Sequence, residues 1–190
     1  MKAVRLYSRP NRWKGFVLGV LGATAGVAAM DAYWARVAPR LTEAVGQGSE
    51  SDAQASGPLD DIALLGRQYR DGESSTAALG RIFYTRITGQ EPQSAEAKTI
   101  LSYLVHYVYG MLQGGVYGAA RSDAGGLDLL GGAAFAVGLW LFGDELAVPL
   151  LGLQSGPTAA TPVQHANRLG AHLTYGLTTA AVTRLLQRLF

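Results

Sequence analysis

The chain has 190 residues, of which 48% are hydrophobic and 16% are charged, and its formal net charge is +2. A typical soluble domain carries about 25% charged residues, so this composition favours a membrane protein, and so small a net charge gives no support to a nucleic-acid-binding protein. Because the chain has no cysteine, disulfides, thiolate metal sites and a cysteine nucleophile are excluded.

The first apolar segment covers residues 15–34, and five basic residues precede it: Lys2, Arg5, Arg9, Arg12 and Lys14. A basic start, an apolar middle and small residues near Ala28 are also the pattern of a signal peptide. The apolar stretch is longer than the roughly 7–15 residues of a signal peptide. We therefore predict a membrane anchor here.

Residues 40–98 form a polar segment that separates the first apolar segment from the second. Its first part, 43–57, is rich in Ser, Gly and acidic residues and is typical of a flexible linker. Apolar residues then recur at helical spacing over 62–65 and 77–83, until a Thr-Gly pair and a proline interrupt the pattern before Ser94. We predict an amphipathic helix on the membrane surface or over the helix bundle. A lid over a ligand site is the alternative.

Three further apolar segments follow, covering residues 100–120, 129–153 and 169–186. A helix needs about 20 mainly apolar residues to cross the bilayer, and these segments are of that length. The sequence therefore predicts an all-α fold, a polytopic four-transmembrane-helix bundle with an additional outer amphipathic segment. We expect residues 1–190 to form one integral membrane domain.

The placement of lysine and arginine predicts the orientation, because cytoplasmic loops carry an excess of both. Four crossings put the basic residues before the first span, Arg121, and the pair Arg184 and Arg188 on one side. We predict that this side is cytoplasmic, with both termini inside and residues 40–98 outside.

Glycines recur four residues apart on the first two spans: Gly22 and Gly26 on the first, and Gly110, Gly114 and Gly118 on the second. In lipid the hydrophobic effect does not drive helices together, and small residues permit the close backbone contact that does. We predict that these glycines pack helices together, either within the chain or between copies in a homo-oligomer.

The motif H-x-x-Y-G occurs twice, at residues 106–110 and 172–176, early in the second and fourth spans. The spans that precede them carry acidic residues late, so the alternating direction of the spans brings all these groups to the outer end of the bundle. We predict a buried polar network there, with the members Asp31, His106, Tyr109, Asp144, Glu145, His172 and Tyr175. Adjacent residues project about 100° apart on a helix, and of the two adjacent acids we expect Glu145 to face the bundle.

Three interpretations of this network compete. It is a structural set of hydrogen bonds that fixes the helix register, or a proton or ion path with Asp144 or Glu145 as the carrier. The third interpretation is that His106 and His172 bind haem or a divalent metal ion, since paired histidines on facing helices suit such ligation.

Three phrases of the sequence carry a family resemblance: V-H-Y-V-Y-G-x-x-x-G-G-V-Y-G at 105–118, L-W-L-F-G-D-E-L-A-V-P-L-L-G-L-x-x-G-P at 139–157, and A-H-L-T-Y-G-L-T-T at 171–179. They resemble the YagU-like family of uncharacterised bacterial inner-membrane proteins. The resemblance covers the last three spans well and the first only loosely. It implies a multi-pass protein of the bacterial inner (cytoplasmic) membrane, and it carries over no catalytic residue.

No nucleotide-binding, zinc-protease or hydrolase motif is present in the sequence, which favours a protein that is not an enzyme. We expect a structural or envelope-support module, or a subunit of a larger membrane complex, with permeability to protons or small solutes as a further hypothesis. The alternative is a haem- or metal-binding membrane redox protein that uses His106 and His172.

Overall fold

The structure, a computed structural model, describes residues 11–45, 57–122 and 126–190. The linker predicted at 43–57 and the basic residues before position 11 therefore lie largely or wholly outside the described residues. The regular elements in these ranges are helical: α1 (Arg12–Arg36), α2 (Ala38–Val45), α3 (Ser75–Thr88), α4 (Ala95–Ala120), α5 (Leu129–Gly138), a π-helical segment (Leu139–Ala147), α6 (Val148–Leu150), a 3-10 turn (Pro157–Ala159) and α7 (Pro162–Leu189). The all-α prediction is confirmed for these residues.

The helices begin and end at residues whose side chains or backbone suit a terminus. The Ser94 side chain accepts a hydrogen bond from the Ala97 N–H and caps α4, as serine commonly does at the start of a helix. Thr161 and Gln164 form a capping box at the start of α7. This helix begins at residue 162 rather than 169, so it includes a histidine, His165, that the predicted fourth span left out.

Two stretches of the described chain are long and apolar enough to cross a membrane. They are Arg12–Ala44, which contains α1 and most of α2, and Leu129–Leu150. Length and composition alone do not place α4 and α7 in that group. The hydropathy of α7 is too low because its buried face carries polar side chains. These include Asn167, His172, Thr179, Thr183 and Arg184. Those residues lower its hydropathy although they face the interior of the bundle.

The helices pack around α1, which contacts both α4 and α7, while α5 packs against α7. The glycines of the sequence pattern lie at these contacts. A Cβ atom on Gly118 would lie 2.7 Å from Cα of Gly19 in α1. A Cβ atom on Gly26 would lie 2.9 Å from the carbonyl oxygen of Tyr175 in α7, and one on Gly22 would lie 2.9 Å from the backbone nitrogen of Thr183. These glycines therefore permit close approach of helices within one chain.

The third predicted span is not a single regular helix. Over Leu139–Ala147 it takes the wider π-helical turn, and the Val148 N–H bonds to the Gly143 carbonyl five residues back. Pro149 follows at once, and a proline has no N–H to donate and clashes with the carbonyl four residues earlier. The π-helical turn removes that conflict and changes the directions of Asp144 and Glu145. Such turns are frequent at functional sites.

One end of the bundle is covered by residues 57–91 and by the loop 151–161, and we call it the loop end. Helix α3 packs along the start of α4, where Gly80 lies against Leu101. The prediction of a helix over 62–65 is wrong, because this stretch is non-helical and its backbone bonds to the end of α6 and to the residues that follow it. The Leu64 N–H donates to Leu150 O at 2.9 Å and the Gln68 N–H donates to Gly152 O at 2.7 Å.

Candidate functional site

A cavity of about 1000 Å³ lies at the loop end of the bundle. Helices α1, α4 and α7, the π-helical segment and the residues before α3 all contribute to its wall. Six of the seven side chains predicted for the polar network line it: Asp31, His106, Tyr109, Asp144, His172 and Tyr175. The alternation of the helices therefore brings polar residues that are far apart in the sequence to one cavity.

The first histidine–carboxylate pair joins α4 to α1. His106 Nε2 lies 3.3 Å from Asp31 Oδ1. The hydroxyl of Tyr107 donates to the other carboxylate oxygen of Asp31 at 3.1 Å. Sequence reasoning missed Tyr107, although it is the next residue after the histidine of the repeated motif.

The second pair joins α7 to the π-helical segment. His172 Nε2 lies 3.8 Å from Asp144 Oδ2, too far for a hydrogen bond. The other ring nitrogen, Nδ1, lies 2.9 Å from the carbonyl oxygen of Arg168. A carbonyl oxygen only accepts, so Nδ1 carries the proton of this hydrogen bond. The two pairs thus have the same composition, one aspartate and one histidine from the repeated motif.

Glu145 does not line the cavity, although it is the more buried of the two adjacent acids, with 7% of its surface exposed. Its Oε1 atom lies 2.9 Å from His165 Nδ1, and His165 Nε2 lies 3.0 Å from the Pro157 carbonyl oxygen. The expectation that Glu145 faces the bundle agrees with its burial, but the acid that reaches the cavity is Asp144. Sequence reasoning missed His165, whose position two helical turns before His172 was the available signal.

The two tyrosines of the repeated motif have different surroundings. Tyr175 is 3% exposed, and its hydroxyl donates to the Gly110 carbonyl oxygen at 2.6 Å. It packs with Val27 and Met30 in the buried apolar cluster and closes the cavity on the side of the bundle centre. Tyr109, in contrast, is 50% exposed. The repeat is therefore similar in its histidines but not in its tyrosines.

Ion pairs organise the chain at the rim of the cavity. Arg81 of α3 bonds Glu73 at 2.8 Å and donates to the Gln68 carbonyl at 2.6 Å. The hydrogen bond from Arg81 lowers the pKa of Glu73. Further pairs join Arg70 to Glu91 and Arg67 to Asp71. These contacts hold the stretch before α3 against α3 and against the turn that follows it.

The opposite end of the bundle contains a separate polar cluster. Arg121, after α4, bonds Asp128, before α5, at 2.6 Å and 2.8 Å. The hydroxyl of Tyr117 donates to the same carboxylate at 2.8 Å, and Arg184 of α7 donates to the Arg121 carbonyl at 3.0 Å. The hydrogen bond from Arg121 lowers the pKa of Asp128 from 3.8 to about 2.

Within residues 11–45, 57–122 and 126–190, no group of three or more His, Cys, Asp or Glu side chains is placed to hold a metal ion. Ligation of haem or a metal ion by His106 and His172 stays a prediction. No family model matches the chain, and no curated protein and no solved structure shows significant similarity to it.

Proposed function

We propose that this chain is a four-span protein of the bacterial inner membrane, a non-enzymatic module whose outer end opens a cavity with ionisable side chains to protons and small solutes. The observation that carries the proposal is the cavity of about 1000 Å³ with its two histidine–carboxylate pairs. Ionisable side chains within membrane spans are costly, and where they occur they face a cavity or the bundle interior.

An exposed apolar stripe supports a membrane position for α4. Its members recur every fourth residue: Ile100, Leu104, Val108, Leu112 and Val116. At 1.5 Å per residue this stripe is about 24 Å long, close to the roughly 30 Å of a bilayer core. Soluble monomers rarely expose so continuous an apolar surface, and lipid is the environment that suits it.

The distribution of charge supports the orientation. The Lys14 side chain donates to the Phe190 carbonyl at 2.5 Å, so α1 begins and α7 ends on the same side of the bundle. Arg121 and Arg184 lie on that side as well. The excess of basic residues there favours a cytoplasmic location, and the loop end is then periplasmic.

The cavity is closed on the side of the bundle centre. This favours a site that binds solutes from the loop end over a channel that runs through the whole bundle. Tyr175 bonds across to α4, and beyond it the helices are in close contact at Gly114 and Gly118. A solute that enters from the loop end meets the histidine–carboxylate pairs before this barrier. The proposed module therefore binds solutes from the periplasm and does not conduct them through the bundle.

Membership of the YagU-like family belongs to this proposal. Each of the three phrases that carry the resemblance contributes residues to the cavity wall: His106 and Tyr109 from the first, Asp144 from the second, and His172 and Tyr175 from the third. The resemblance is therefore concentrated where the structure has its polar site. It supports the membrane location and leaves the solute open.

Thiol labelling tests the access of the cavity, because the chain has no native cysteine. Ser102 lines the cavity, so a charged maleimide added to the periplasmic side should label Ser102→Cys in membranes. The matched control is Thr183→Cys, at a position that is 1% exposed, which should react only after denaturation. An unreactive Ser102→Cys that labels once unfolded would refute an open periplasmic cavity.

Reporter fusions test the four crossings. A reporter after Phe190 should read cytoplasmic, and one inserted after Gly89, in the turn between α3 and α4, should read periplasmic. The inverse pattern, or the same location for both reporters, would contradict the topology.

A further inference from the structure

Among the described residues, three arginines line the cavity, and one of them differs from the others because it makes no hydrogen bond with a carboxylate. Arg67 and Arg70 at the rim are each paired with a carboxylate. Arg168 of α7 is 24% exposed in its side chain, and among the described residues its guanidinium donates no hydrogen bond. Its nearest carboxylate oxygen, Glu145 Oε1 at 3.8 Å, is already bonded to His165.

Asp144 carries the opposite charge to Arg168, and its side chain also lacks hydrogen bonds within the described residues. Its side chain is 32% exposed, and within the described part of the chain its carboxylate accepts no hydrogen bond. Arg168 is near enough to act on Asp144 electrostatically, yet no direct ion pair joins these two described residues. A half-buried charge that accepts or donates no hydrogen bond within the described residues is stabilised by a ligand that supplies one.

With a neutral His172 ring, the space between His172 and Asp144 contains two hydrogen-bond acceptors and no donor. The Nδ1 proton of His172 is committed to the Arg168 carbonyl, so in the neutral ring Nε2 is an acceptor. It faces the Asp144 carboxylate, a second acceptor, at 3.8 Å. An ammonium group has three N–H donors and can bond both acceptors at once.

Arg168 and His172 are four residues apart on α7 and therefore share one face of that helix. One wall of the cavity thus presents a guanidinium that donates no hydrogen bond to the described residues. Beside it lie two acceptors, the Asp144 carboxylate and Nε2 of neutral His172. We propose that the cavity binds a small zwitterion, with its carboxylate on Arg168 and its ammonium group between Asp144 and His172. This inference rests on the proposed function and specifies the class of solute that enters the cavity.

The size and the remaining wall of the cavity fit such a ligand. Small-molecule sites have volumes of about 300–1,000 Å³, and the cavity volume of about 1000 Å³ leaves room for water around a small solute. Trp34, Tyr69 and Tyr109 supply aromatic surface for an apolar part of the ligand or for its cationic end.

The test measures binding to the full chain in lipid nanodiscs by isothermal titration calorimetry. The probes are glycine, 3-aminopropanoate and 4-aminobutanoate, compared with propanoate and propylamine, which each carry one of the two charges. At least one zwitterion should bind, and more than tenfold more tightly than either singly charged probe. The preferred chain length then reports the distance between the two half-sites.

Substitutions assign the two ends of the ligand. Arg168→Gln and Asp144→Asn should each weaken zwitterion binding by at least tenfold, since each removes a charged hydrogen-bond partner. Arg168→Lys keeps the charge but loses the fork geometry, so it should weaken binding less than Arg168→Gln. The matched controls are Arg86→Gln and Asp61→Asn, both outside this cavity, which should change the affinity by less than twofold.

Two results would overturn the inference. One is propanoate binding as tightly as the best zwitterion with no effect of Asp144→Asn, which would identify an anion site only. The other is no binding of any zwitterion to wild-type protein whose Ser102→Cys counterpart is labelled from outside. Failure of that labelling, in contrast, refutes the proposed function itself, so the two failures are distinguishable.

Discussion

The contact between α1 and α4 at Gly114 can be tested with a single methyl group. A Cβ atom on Gly114 would lie 2.9 Å from the Gly19 carbonyl oxygen and 3.3 Å from Cα of Ala23, and it would overlap Cβ of Ala23. Non-bonded carbon atoms pack best at about 3.5–4.0 Å. Gly114→Ala should therefore push the two helices apart by about half an ångström or more.

The expected magnitude is the difference between two opposing effects. Overpacking costs about 1–3 kcal/mol, whereas replacing a helical glycine by alanine gains about 0.5–1 kcal/mol. Gly138→Ala is the matched control, because Gly138 is helical and its Cβ would have no neighbour within 4 Å. The control should be stabilised, and Gly114→Ala should be less stable than the control by about 1–3 kcal/mol.

The assay is equilibrium unfolding in mixed detergent micelles by sodium dodecyl sulfate, followed by the fluorescence of the three tryptophans. Gly114→Leu places a larger side chain at the same contact and should lose more stability than Gly114→Ala. If Gly114→Ala is as stable as Gly138→Ala, then α1 and α4 are not in close contact at this glycine. The reasoning from backbone approach would then be refuted.

Three further outcomes are expected. The folded pKa of Asp128, about 2, is below its ordinary 3.8, so the stabilisation by its Arg121 pair is complete above about pH 4 and is lost as the pH falls through 2. Asp128→Asn should lower the free energy of unfolding at pH 7 by about 1–2 kcal/mol, allowing for the solvent exposure of Arg121. An unchanged denaturation midpoint would contradict this. His165→Phe removes both hydrogen bonds of the ring and should speed amide exchange over residues 152–160, whereas equal exchange would show that the ring does not hold this loop. The double variant Asp31→Asn/His106→Gln should lose less free energy of unfolding than the two single variants together, by about 0.5–1 kcal/mol. Additive losses would show that the two side chains are not coupled.

The helix ends and the helix contacts follow closely from the sequence. Ser94 marks the start of α4 because a serine at the N-cap satisfies a backbone N–H that the helix leaves free. Gly114 and Gly26 lie at helix contacts because only a residue without a side chain lets two backbones come so close. These are local rules, and each depends on one residue type at one position.

The pairing of Asp31 with His106 also has a signal in the sequence, since alternating helices bring an acid late in one span beside a histidine early in the next. The sequence does not fix the partners beyond that. His165 pairs with Glu145 because α7 begins at residue 162, and that start depends on a capping box outside the apolar run on which the span prediction was based.

Only the tertiary structure decides which acid reaches the cavity. On a regular helix, Asp144 and Glu145 project about 100° apart, and either could face inward. The π-helical turn before Pro149 sets their directions, and the contact of this turn with α7 buries Glu145 against His165 while Asp144 lines the cavity. The sequence by itself predicts that the histidines of the repeated motif and the acids of the preceding spans lie at one end of the bundle, since this follows from the predicted span order. Which of them lack partners depends on packing between distant segments, because a hydrogen bond requires a position to within a few tenths of an ångström.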